Sequence, residues 1–305
     1  MYASVYVPLL LSLVVVPMAR LVVRRAAPDV AAKVVTIGAV AAAALAIWGL
    51  ALLTAARVGQ VPVVAREGHW SALRVAARNP VPEAISIVAG FLLIVGATRL
   101  LFFAFREQRL VTFIRRQGAC LPQGTGLAVL DDPRPDAFAL PGKPGRVVMT
   151  TSLVRALDAT ERRVVLAHEY AHLRHRHHWF RTAIETAAAL NPFVSPARRD
   201  VAFALERWAD EEAAEVVADR GTAARALAHA ALLTHDSRPV NAGFGLSRLG
   251  VADRVAALST GAPPRRLTLA VGAFLVVVVP AAFAAADATI ALLKLLLDAT
   301  GVGHS

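Results

Sequence analysis

The run Val164-Val165-Leu166-Ala167-His168-Glu169-Tyr170-Ala171-His172 decides how the rest of the chain is read. On a helix of 3.6 residues per turn, His168 and His172 project from one face, one turn apart. That spacing lets two imidazole nitrogens share one zinc ion at about 2.0–2.1 Å. Glu169 stands about 100° round the helix from His168, where it can reach a metal-activated water without being a ligand. The apolar flank 164–167 suits a buried helix. Asp158-Ala159-Thr160-Glu161 has the form of a capping box that opens this helix, which is predicted to run to about His175.

A catalytic zinc needs a third protein ligand and an open fourth position. Glu206-Arg207-Trp208-Ala209-Asp210 lies downstream. Glu206 is the expected third ligand. Asp210, one turn on, is expected to accept a hydrogen bond from the free ring nitrogen of a ligating histidine and so set its tautomer. Glu211, Glu212 and Glu215 read as a solvated acidic face. The implied chemistry is hydrolysis: zinc lowers the pKa of its water and polarises the scissile carbonyl. Glu169 takes the proton and hands it to the leaving amine. A second oxyanion donor is needed. His175, His177, His178 and Arg207 are candidates, each read as a surface residue.

Working outward, 56% of the 305 residues are hydrophobic, mostly Ala, Val and Leu, which suits lipid-facing helices. Spanning a bilayer takes about 20 apolar residues. Stretches 2–19, 34–56, 84–105 and 267–286 qualify, with Arg99 near enough to the end of the third to snorkel. The first lacks a basic region before its apolar run, so a retained span is expected rather than a cleaved signal. Arg20, Arg24, Arg25 and Lys33, then Arg106, Arg109, Arg115 and Arg116, then Arg265 and Arg266 flank these stretches. The positive-inside rule places those flanks in the cytoplasm and both termini outside. Residues 106–266 are then a cytoplasmic peptidase domain, and 287–305 a short tail too brief to span.

Within 106–266, strands are expected at 137–140 and 147–151, a helix break at Asn191-Pro192, and a long helix over 197–233 interrupted at Gly221. The net charge of +11 comes with no DNA-reading helix and no interleaved aromatics, so a nucleic-acid partner is not expected. Cys120, the only cysteine, reads as a small core residue. The expected fold is mostly α: four transmembrane helices and a zincin-like α+β domain with a small sheet.

The motif His168 to His172, Asn191-Pro192, Glu206 and Asp210 resembles the BlaR/MecR-type integral membrane zinc metallopeptidases. Their HtpX-like and CAAX-prenyl-protease-like relatives are similar too. Asp136 to Gly142, ahead of Arg146 to Ser152, is similar to the family's strand pair, where an edge strand aligns substrate by backbone pairing. The resemblance implies one zinc held by His168, His172 and Glu206, with Glu169 as base and Asp210 in support. It also implies a protein or peptide substrate. In shorter relatives the suspected partner is a small winged-helix repressor. HtpX-like enzymes carry apolar spans between the zinc helix and the third ligand, and residues 173–205 read as having none, which favours the BlaR/MecR-type group. The chain ends within about 20 residues of its fourth apolar stretch, so a β-lactam sensor of the BlaR/MecR kind is not expected there. A quality-control endopeptidase and a non-enzymatic membrane scaffold are the competing readings.

Overall fold

The computed structural model describes residues 4–79, 81–119, 126–235, 250–261 and 267–300. α1 (Val7–Arg25) and α2 (Pro28–Val58) form a tight hairpin, with Pro28 in the first turn of α2. Two short helices follow, α3 (Pro62–Glu67) and α4 (Ala72–Arg78), and then the long α5 (Glu83–Ala119). The sheet contains β1 (Leu127–Leu130), β2 (Ala137–Leu140) and β3 (Arg146–Thr150) in the order β1-β3-β2. β1 runs parallel to β3, and β2 antiparallel to it, with Ala137 opposite Met149 and Leu140 opposite Arg146. Then come α6 (Thr151–Ala156), α7 (Ala159–Arg174), α8 (His177–Leu190), a 3₁₀ turn at Pro192–Val194, α9 (Ala197–Val217), α10 (Arg220–His235), α11 (Val251–Ser259) and α12 (Leu267–Thr300).

Four of these helices, α1, α2, α5 and α12, are long and apolar enough to cross a membrane. At 1.5 Å per residue, the 31 residues of α2 extend about 46 Å, well beyond a hydrocarbon core of about 30 Å. α5 likewise continues past residue 105 to Ala119. α12 is continuous to Thr300, so residues 288–297, expected as a separate tail, belong to the same helix as the fourth apolar stretch. Its far end is fastened to α4: Ser71 N donates to Ala299 O at 3.0 Å, and Arg78 pairs with Asp298 at 3.3 Å. Cys120 lies outside the described residues.

The strand expected at 137–140 forms with those bounds. Its partner stops at Thr150, because that side chain turns to accept from Leu153 N and cap α6. β1, four residues of mixed burial, carries too little pattern to be read from sequence. The capping box of α7 forms in both directions, Asp158 accepting from Glu161 N at 2.8 Å and Glu161 from Asp158 N at 2.9 Å. The break between α9 and α10 falls at Ala218, left-handed at φ 56°, and not at Gly221, which is helical. Asp219 explains the shift, since its carboxylate accepts from Gly221 N at 2.9 Å and starts the new helix.

Residues 173–205 contain no helix long and apolar enough to cross a membrane, as expected, yet they pack inside the bundle. α8, the turn and α9 form a helical hairpin packed among α1, α2 and α5. Ile184, Ala187, Ala188, Val194, Ala197, Val201, Ala204 and Leu205 share one buried cluster with Leu11, Val15, Ala31, Val35 and Ala39. At the tip, buried Asn191 donates to buried Ser12, inside α1, at 2.6 Å. Arg99 does not snorkel. Its guanidinium turns inward onto Ala188 O and Ala189 O at 3.1 and 3.0 Å, satisfying carbonyls that the end of α8 leaves orphaned. The hairpin escaped detection because 14 residues with His, Arg and Glu in one helix do not read as a span. They bury against protein, where alanines allow close helix approach.

Candidate metal centre

α7 carries the two histidines and α9 the carboxylates, and these two helices pack along their lengths. His168 and Glu206 are buried, and His172 nearly so. The imidazoles converge through Nε2, 3.2 Å apart. Glu206 completes the triangle, with Oε2 3.5 Å from His168 Nε2 and Oε1 3.8 Å from His172 Nε2. A tetrahedral zinc with bonds near 2.0–2.1 Å would have donor–donor edges of about 3.3 Å. The donor set therefore fits such an ion in both kind and spacing. All three donor atoms lie within 4.8 Å of one another.

The back of each histidine is also held. Asp210 Oδ1 lies 3.0 Å from His168 Nδ1, and His177 Nδ1 lies 2.7 Å from His172 Nδ1. Both contacts leave Nε2 free to ligate, the usual role of a group behind a metal-bound histidine. Beyond them stands Arg254 on α11, 8% exposed. It grips Asp210 twice, Nε to Oδ2 at 2.7 Å and Nη2 to Oδ1 at 2.6 Å, and reaches Glu206 Oε2 through Nη1 at 3.2 Å. Arg181 on α8 donates to Glu206 Oε1 at 2.8 Å.

Electrostatics follow from this packing. Burial opposes charge on His168, but Asp210 and then Glu206 outweigh it and raise its pKa to about 10. Burial pushes His172 down to about 3, assisted by the positive neighbours. His177 is pushed down to about 2, again mainly by burial. With His168 raised and His172 lowered, the pair carries a single positive charge, on His168. Burial would raise Asp210 and Glu206, yet Arg254 and His168 together, joined at Glu206 by His172, outweigh it and leave both ionised, Glu206 well below the carboxylate range.

Residues 106–197 match the family model of Peptidase family M48. The match takes in β1 to β3, α7 with its two histidines, and α8, and implies a metallopeptidase. No curated protein and no solved structure matches the chain. The M48 match ends before Glu206, Asp210 and Arg254, so their association with its histidines rests on the geometry above.

Several sequence expectations change here. His177 is not a surface residue: it is 1% exposed and stands behind His172. His175 contacts Glu212 and stacks on Trp208 at 4.4 Å, and Arg207 donates to Val23 O at 3.4 Å, so both are held away from the triangle. Arg254 and Arg181 had not been singled out. Neither has a local signal: each is one of 33 basic residues, and Arg254 lies 44 residues beyond Asp210.

Proposed function

We propose that this chain is a membrane-embedded zinc endopeptidase. The observation that carries the reading is the convergence of His168 Nε2, His172 Nε2 and the Glu206 carboxylate, backed by Asp210 and His177. These three residues would hold the zinc. When bound, the ion supplies Lewis acidity to a water and to the scissile carbonyl. Glu169, next to His168 on α7, would accept a proton from water at its carboxylate and would return it to the leaving nitrogen. Asp210 and His177 hold the two imidazoles in the tautomer that presents Nε2. Arg254 helps to keep both buried carboxylates charged.

The four apolar helices support an integral membrane protein. Arg20 and Arg24 lie near Asp200 of α9, Lys33 sits over the Trp208 ring at 4.7 Å and Arg106 lines a cleft with α7, so these positive flanks lie on the side of the catalytic part, which supports a cytoplasmic domain in the cell membrane. The physiological role we favour is signalling, by cutting a cytoplasmic regulator such as a winged-helix repressor, as in the BlaR/MecR-type group. The α8–α9 hairpin, buried among the spans, favours a second reading, an HtpX-like protease that clears membrane proteins.

The test is N-terminal proteomics of cells carrying wild type against Glu169→Gln. Wild type is expected to yield new protein termini that the variant, loaded with equal zinc, does not. Identical sets of termini refute peptidase activity. A repressor among the products favours signalling, whereas many damaged membrane proteins favour quality control.

A further inference from the structure

A cleft of about 2130 Å³ reaches the metal centre through Arg181, which donates to Glu206 Oε1 at 2.8 Å; His168, Glu169, His172 and Glu206 do not themselves line it. One wall is the overhang of α5 beyond the bundle, with Phe103 and Leu110. The opposite wall is α7 and the start of α8. α5 and α8 are joined where Arg99 clasps the end of α8. Ala167 and Ala171, which flank the histidines, line the cleft, as does Arg181, which holds Glu206.

The charge of this cleft is lopsided. Of its carboxylates, Glu185 is engaged by Arg198 at 3.1 Å, and Glu212 by His175 and by Arg174 at 3.9 Å, which leaves Glu107. Against it stand Arg106, Lys143, Arg163 and Arg176, none with a carboxylate within 4.0 Å among the described residues. They are exposed and come from four separate places: α5, the turn between β2 and β3, α7, and the left-handed residue that precedes α8. Cations contributed by four separate segments around one cleft make a field for an anionic chain, not a solvated face of one helix.

We propose that this cleft selects substrate segments rich in Asp and Glu and lays them alongside the metal centre. The inference rests on the peptidase reading and deepens it. Anionic lipid shares the chemistry, but one lining side chain, Arg181, donates directly to Glu206 of the metal centre, which favours a polypeptide.

The experiment uses the full chain, zinc-loaded, in phosphatidylcholine nanodiscs. Two internally quenched peptides share one apolar centre and differ in flanks of Glu or Lys. The Glu-flanked peptide is expected to be cleaved with about tenfold higher kcat/KM at low salt, carried by KM, with the advantage shrinking as salt rises. Arg163→Glu combined with Lys143→Glu should erase or invert that preference, with zinc content serving as the check on folding. Binding of both peptides to Glu169→Gln, read by anisotropy, gives the same ratio without turnover. Equal handling of both peptides, or a ratio untouched by the charge reversals, overturns the proposal. So does an effect of the reversals confined to phosphatidylserine vesicles, which would make the cleft a lipid site. Acidic preference in binding without any cleavage upholds the cleft assignment and sinks the peptidase reading; cleavage without preference does the opposite.

Discussion

Zinc affinity should depend on pH in a way that two ordinary histidines cannot reproduce. Asp210 and Glu206 raise His168 to about 10, and burial pushes His172 down to about 3. Between those values the metal-free pair carries one ionising proton, on His168, and zinc must displace it. A raised pKa means that the proton competes at every pH below it, so affinity falls with acid and climbs as pH rises toward 10. The climb from His168 alone is about tenfold per pH unit, or about 1.4 kcal/mol. Two unperturbed histidines near 6.5 would change the constant by less than about twofold between pH 7 and 8. Zinc-bound water also ionises in this range, at a pKa of about 7, and steepens any such curve. The comparison therefore needs Asp210→Asn, which removes the larger of the two carboxylate influences on His168 and leaves the water in place. Chelator competition on the solubilised full chain at pH 6, 7 and 8 should give a slope for wild type steeper than that of the variant by up to one log unit per pH unit. Parallel profiles would show that Asp210 does not control the His168 proton, and the account of how the site is charged would be wrong.

Three further outcomes follow from individual contacts. Glu206→Gln should lower zinc stoichiometry well below one per chain by metal analysis; retained stoichiometry refutes Glu206 as ligand. His177→Phe should weaken zinc binding by about tenfold and His177→Asn should restore much of it, because a polar atom is needed behind His172 Nδ1; equal losses in both variants would reduce His177 to packing. Arg99→Leu leaves Ala188 O and Ala189 O without their donor and should destabilise the hairpin by about 1–3 kcal/mol, read as faster proteolysis between α8 and α9; unchanged cleavage would refute the clasp.

Local signals were legible in the sequence. The one-turn spacing of His168 and His172, the capping box at Asp158 and Glu161, the break at Asn191-Pro192 and the long apolar stretches each arise from residues a few positions apart. Helix periodicity and bilayer thickness turn such patterns directly into structure. Glu206 and Asp210 could be singled out because their own spacing repeats a helical turn.

Tertiary packing alone decided the rest. That α9 lies along α7, so that Glu206 reaches the histidines, depends on a helix contact no short window contains. His177 looked like one of several surface histidines until the fold set it behind His172. Arg254 had no motif, and its meaning comes from burial between two carboxylates. The α8–α9 hairpin reads as polar because its charged residues outweigh its alanines in composition, yet it lies inside the bundle. Periodicity reports which side of a helix is apolar. What that side meets, lipid or protein, and which charges end up sharing a desolvated space, is settled only when the helices pack.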